Sequence, residues 1–148
     1  MKNHFDSAAT HNYIMGVEHG GKVTAYAVTL DFNGFCFLFS DKPTISKRAV
    51  VVKYRSNKAK REYLASHATA VYEVCTVDEL KSSCRVKTNR YGKAYTENCG
   101  ECFEWLMAKL MGGYQNDKAN LKYTDGGDIT VNGIAYQVKY ERAGITVG

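Results

Sequence analysis

The sequence predicts an α+β domain built on a mixed sheet with flanking helices, and three observations carry that expectation. Two Asn-Gly pairs, Asn33-Gly34 and Asn132-Gly133, each separate runs suited to strands. Asn-Gly is the strongest short-range hairpin signal, because a two-residue type I′ turn needs φ > 0 at both central positions. Between the pairs, segments 57–67 and 97–112 carry apolar residues at helical spacing. The chain has 148 residues, 45% of them hydrophobic, which suits one core. With a single proline, Pro43, and no repeat or low-complexity segment, 1–148 reads as one domain. Within it, 1–80 forms an N-terminal sheet layer.

In chain order, the first expected unit is a hairpin of strands 23–30 and 35–40 around Asn33-Gly34. Its register puts Tyr26, Val28, Leu30, Phe32, Phe35, Phe37 and Phe39 on one face, which must be buried. Gly20-Gly21 is a turn signal, and no Gly-Lys-Ser/Thr follows to make it a phosphate loop. A strand at 49–54, a helix at 57–67, a strand at 70–75 and a short helix opening at Thr76-Val77-Asp78-Glu79 come next. The polar stretch 81–98 reads as a loop or a boundary. In the helix at 97–112, Cys99, Phe103, Leu106, Met107 and Leu110 share a stripe, and Gly112-Gly113 ends it.

The last element is the most specific. With Asn132 and Gly133 as the loop, Val131 faces Ile134, Thr130 faces Ala135, Ile129 faces Tyr136 and Asp128 faces Gln137. Alternation puts Lys139 on the Gln137 face, so Asp128, Gln137 and Lys139 converge while Ile129, Val131, Ile134, Tyr136 and Val138 line the apolar face.

An acid opening one strand, then an acid or amide, any residue and a lysine on the next, after a helix bearing glutamate, resembles the PD-(D/E)XK nuclease superfamily. Gln137-Val138-Lys139 stands in place of its (D/E)XK element. The resemblance covers the last third of the chain, and implies a restriction-endonuclease-like core over 97–148. It implies that Asp128 and Gln137 hold Mg²⁺ or Mn²⁺ with the Val138 main-chain carbonyl, and that Lys139 serves the attacking water and the phosphate. Glu101 is its preferred helix glutamate, with Glu104, which flanks the Leu110 stripe, as the alternative. Gln137 retains a carbonyl oxygen but lacks the charge of glutamate, which lowers metal affinity. The bland reading is a solvated hairpin face, with Glu101 and Glu104 as surface charges and Asp125 as a turn residue.

The family's fold continues past the hairpin with a helix and another strand, whereas this sequence ends nine residues after Lys139. Either an N-terminal segment such as strand 70–75 with a neighbouring helix, or a homodimer, completes the sheet, or the resemblance is local.

Net charge is +5, unevenly spread. Segment 46–61 holds Lys47, Arg48, Lys53, Arg55, Lys58, Lys60 and Arg61 with no acid, and 80–96 holds Lys81, Arg85, Lys87, Arg90 and Lys93 with none. Interleaved with Tyr54, Tyr91 and Tyr95, such runs suit a polyanion, and DNA is the expected partner. Solvated faces are the ordinary alternative.

The cysteines offer a competing constellation. Cys99-Gly-Glu-Cys102 with Cys75 and Cys84 supplies four thiolates for Zn²⁺, although the 75–84 spacing exceeds the usual one. Cys36 reads as a lone thiol, and the four histidines are scattered. No apolar run spans a membrane and the polar N-terminus lacks a signal-peptide core, so the expected location is cytoplasmic.

The expectation is therefore a Mg²⁺-dependent DNA endonuclease of phage or mobile-element type. Its alternatives are a catalytically inactive nuclease-like nucleic-acid-binding or inhibitor protein, and a zinc-stabilised interaction module.

Overall fold

Strands β1 (His11–His19) and β2 (Lys22–Leu30) fold back on each other at Gly20-Gly21, where φ is +60° and +74°. Both turn residues lie in the left-handed region that glycine enters without a Cβ penalty. The structure, a computed structural model, describes residues 10–39, 57–116 and 127–141.

The first hairpin therefore lies earlier than the sequence suggested. Asn33-Gly34 sits inside helix α1 (Phe32–Phe39) and not in a turn. Two effects favour the helix. Asp31 caps it, with Oδ1 accepting from Gly34 N–H at 2.8 Å and the Asp31 carbonyl accepting from Phe35 N–H. Moreover, β2 has partners on both edges, β1 and β3 (Ala70–Thr76), which leaves no ladder position for 35–40. The shared burial does hold for the described side chains, since Tyr26, Phe32, Phe35 and Phe37 pack on the cluster containing Val28 and Leu30.

Helix α2 (Asn57–His67) and strand β3 occupy the expected segments, and the strand expected at 49–54 lies outside the described residues. Helix α3 (Val77–Ser83) opens with a full capping box between Thr76 and Glu79. Strands β4 (Val86–Thr88) and β5 (Ala94–Thr96) form a separate two-stranded ribbon in the stretch read as a loop. Helix α4 (Cys99–Met111) starts at a second capping box, Asn98 with Glu101, and ends at Gly112 with φ +73°. Strands β6 (Tyr114–Gln115), β7 (Ile129–Val131) and β8 (Ile134–Glu141) follow.

The six-stranded sheet runs β3-β2-β1-β8-β7-β6, antiparallel except for the parallel pair β1 and β8. The fold is thus α+β with a mixed sheet, and its N-terminal and C-terminal strands share one ladder. The strand beside the C-terminal hairpin is β1, while 70–76 lies at the far edge.

Each face of the sheet has its own core. Ile14, Val23, Ala25, Ala27, Ile129 and Val131 meet Leu80 of α3 and Phe103 and Met107 of α4. On the other face Tyr13, Met15, Val17, Val28 and Leu30 meet Leu38 of α1 and Leu64 of α2. Full burial of a side chain such as Phe103 contributes roughly 1.5–3 kcal/mol. The stripe of α4 is rotated from expectation, because Cys102 and Ala108 are buried while Leu110 is 52% exposed. Among the described residues no helix is long and apolar enough to cross a membrane.

Candidate functional site

The C-terminal hairpin has the register its sequence dictates. Ile129 pairs with Tyr136, Thr130 with Ala135 and Val131 with Ile134, across a turn whose φ values are +50° at Asn132 and +79° at Gly133. At Asp128 the regular ladder stops, and the expected pairing of Asp128 with Gln137 is not formed, because Asp128 turns onto Tyr136 and Val138 instead. Its N–H donates to the Tyr136 carbonyl at 2.7 Å, and its carboxylate Oδ2 accepts from Val138 N–H at 2.8 Å. The side chain thus fills a place a main-chain carbonyl would hold and is anchored against β8.

Neighbouring groups fix this segment. A Cβ on Gly127 would stand 2.0 Å from the Tyr136 carbonyl oxygen, so only glycine allows the close approach. Asn116 donates through its N–H to the Asp128 carbonyl at 3.0 Å and through Nδ2 to the Gly127 carbonyl at 2.8 Å. Its Oδ1 accepts from the Thr130 hydroxyl at 2.7 Å. Sequence reasoning missed Asn116, and nothing in its immediate neighbours marks it.

Tyr136, Val138 and Tyr140 pack on the α4 side, so alternation sends Gln137, Lys139 and Glu141 to the opposite face. The ion pair from Glu141 Oε1 to Lys60 Nζ of α2, at 3.2 Å, fixes that assignment. Gln137 is half-buried beside Tyr13, and Lys139 is exposed beside Met15.

The two helix glutamates belong to α4, which packs against the other face. The Glu101 carboxylate accepts from Asn98 N–H at 3.1 Å and closes the cap. Glu104 Oε1 accepts from Gln115 Nε2 at 3.3 Å, which ties it to β6. Among the described residues no three His, Cys, Asp or Glu side chains come together as a metal-holding group.

The cysteines do not gather as a four-thiolate set. Cys84 and Cys102 thiols both donate to the Leu80 carbonyl, at 3.5 and 3.6 Å. Burial first, then the neighbouring Cys84, pushes the Cys102 thiol up to about 12. Cys99 is buried in the α4 core, and Cys75 lies on β3 with its thiol raised by burial and then by Glu79.

The basic residues divide. Lys60 is 8% exposed and held by Glu141, while Lys58 is exposed and Arg61 half-buried on the same helix. Lys47, Arg48, Lys53, Arg55 and Asp125 lie outside the described residues. Arg85 and Lys87 converge on Glu97, which is 4% exposed. Its Oε1 accepts from Arg85 N–H at 2.8 Å, Arg85 Nε at 3.0 Å and Trp105 Nε1 at 3.0 Å, and its Oε2 accepts from Arg85 Nη2 at 3.1 Å. Lys87 Nζ stands 3.6 Å from Oε2, and the Arg85 guanidinium lies 4.3 Å from the Trp105 ring centroid. These donors, Arg85 foremost, hold the Glu97 carboxyl down at about 2. Glu97 was also missed, although it is the first acid after the 80–96 run. Arg90 and Lys93 stand exposed at the ribbon tip.

No protein-family model matches the chain, and no curated protein or solved structure matches it.

Proposed function

We propose that the chain is a metal-dependent DNA endonuclease working at the Asp128, Gln137 and Lys139 face of the β7-β8 hairpin. The observation that carries this reading is the hairpin register, with Asp128 anchored where the ladder ends and Lys139 on the Gln137 face.

The order α4, β6, β7, β8 with β1 parallel beside β8 supports a restriction-endonuclease-like core whose further strand comes from the N-terminal segment. The donors are a carboxylate, an amide carbonyl and the Val138 main-chain carbonyl, hard oxygens that suit Mg²⁺ or Mn²⁺ with waters and phosphate oxygens completing the shell. Such an ion, when bound, polarises the phosphate and acidifies water. Gly127 and Asn116 keep Asp128 at a fixed height on β8. Lys139 orients the attacking water and offsets charge on the phosphate as its oxygen adds to phosphorus and the bond to the leaving oxygen breaks. Of the two helix glutamates, both on α4 across the sheet from Lys139, Glu101 closes a cap, so only Glu104, bonded to Gln115, is left for the helix-glutamate role. Lys58 and Arg61 lie on the helix whose Lys60 meets β8, so they border the Lys139 face and suit phosphate contacts.

The test is cleavage of supercoiled, linear, single-stranded and branched DNA with Mg²⁺, Mn²⁺ or EDTA, by wild type, Asp128→Ala and Lys139→Ala. Metal-dependent cutting lost in both variants is expected. Absence of cutting by folded wild type would favour the second reading, a nucleic-acid binder without activity. The uncharged Gln137 motivates that reading, and salt-sensitive DNA binding would mark it.

A further inference from the structure

We infer that the β4-β5 ribbon is a duplex-reading arm that enters the major groove of DNA, an inference that rests on the DNA reading above. Every residue from Arg85 to Thr96 is exposed, so both faces of the ribbon are open among the described residues. An isolated two-stranded ribbon is marginal in water. This one is held at both ends. At its base Glu97 ties Arg85 to Trp105. At its tip the Asn89 side chain accepts from Tyr91 N–H at 2.9 Å and Lys93 N–H at 3.0 Å, with Gly92 at φ +80°.

The pairs Val86 with Thr96, Lys87 with Tyr95 and Thr88 with Ala94 separate two chemistries. One face carries Lys87 and Tyr95 and leans to Glu97. The other presents Val86, Thr88, Ala94 and Thr96, small and uncharged, with Val86 72% exposed. Methyl and hydroxyl groups of this kind contact thymine methyls and base edges without the desolvation cost of a charge. Arg90 and Lys93 at the tip supply cations for phosphates, and the nearest acid in sequence, Glu97, is buried and already bonded. A three-residue strand rises roughly 10 Å, comparable to the groove's depth of about 8.5 Å, and that groove admits a two-stranded ribbon.

The experiment measures anisotropy of labelled duplex DNA, single-stranded DNA and double-stranded RNA in EDTA, where cleavage cannot interfere. It compares wild type, Arg90→Ala/Lys93→Ala and Thr88→Glu, all at exposed positions and each checked for an unchanged melting temperature. Wild type should prefer duplex DNA over double-stranded RNA, whose major groove is too narrow for the ribbon. The double variant should bind duplex more weakly, with a log–log salt slope shallower by about 1.8, two phosphates at about 0.9 each. Thr88→Glu should lose duplex binding at every salt concentration tested. Equal affinity for the two duplexes, tighter binding to single strands, unchanged binding in both ribbon variants, or no wild-type binding would each overturn the inference. Ribbon-dependent duplex binding by a protein that never cuts would leave the arm standing and remove the endonuclease.

Discussion

Glu97 and Arg85 are joined through both main chain and side chain. The Glu97 carboxylate accepts from the Arg85 N–H and guanidinium, while Glu97 N–H donates to the Arg85 carbonyl at 2.8 Å. This closes the ribbon's base like one more rung, and the Trp105 indole N–H fastens that rung to α4.

Glu97→Ala should therefore destabilise the protein by about 1–3 kcal/mol, because it removes the buried carboxylate that the half-buried Trp105 indole and the Arg85 main-chain N–H both donate to. Lys87→Ala, which removes a half-exposed partner at 3.6 Å, should change stability by no more than about 0.5 kcal/mol. Urea unfolding gives both values, and equal effects would show that the buried hydrogen bonds are not what matters. Amide exchange should speed up selectively across the ribbon in Glu97→Ala.

The same carboxylate sets an acid limb. Its value falls from an ordinary 4.5 to about 2 on folding, so the unfolded chain binds the proton more readily. A depressed folded value means stability present above about pH 4.5 and lost as pH falls toward about 2. Glu97→Gln should start less stable at neutral pH and show a flatter decline through that window. Parallel curves for the two proteins would contradict the assignment.

What could be read ahead depended on whether the deciding interactions were local. The β7-β8 register, the Thr76 and Glu79 cap and helix 57–67 rest on neighbouring residues, and the structure has them where their sequences put them. Asn33-Gly34 looked just as local as Asn132-Gly133, yet Asp31 capping and a sheet with both edges of β2 filled turned it into a helix. The parallel pairing of β1 with β8 joins residues some 120 apart, as Tyr13 and Gln137 show, and no spacing rule reaches that far. In the candidate site, the shared face of Gln137 and Lys139 was legible because strand alternation defines it, whereas the turn of Asp128 onto Tyr136 and Val138 was not. Asn116 and Glu97 were not legible either, because their roles come from which groups fold against them.

Gly16 tests the close packing of β1 on α4. A Cβ there would stand 2.4 Å from the Phe103 ring, whose centroid is 5.2 Å from that of Tyr140 on the neighbouring strand. Gly16→Ala should cost about 1–3 kcal/mol by overpacking. Adding Phe103→Leu should recover part of that loss in a double-mutant cycle, measured by thermal unfolding. Simple additivity would show that the ring is not the obstacle.

Thiol labelling should follow burial and charge. Cys102 is fully buried with its thiol near 12, so almost no thiolate exists at neutral pH. Half-buried Cys75 should alkylate well before it, with peptide mapping assigning each site. Rapid native-state labelling of Cys102 would mean that the α3-α4 contact opens readily.

Gln137→Glu offers the sharpest probe of the proposed site, because it adds one negative charge on the strand that carries the Asp128 anchor while keeping shape. Without metal, a second carboxylate on the proposed site has no cation to offset it, and the variant should be less stable than wild type by about 0.2–1 kcal/mol. A bound divalent ion would reverse that loss and stabilise the folded state in proportion to its affinity. The melting temperature of Gln137→Glu should thus rise with Mg²⁺ more steeply than that of wild type, and Asp128→Ala should abolish the rise in both backgrounds. If cleavage occurs, the variant should reach half-maximal rate at lower Mg²⁺. A variant destabilised in EDTA and unmoved by Mg²⁺ or Mn²⁺ would place two charges on one face with no ion between them, and the hairpin would lose its claim to be a metal site.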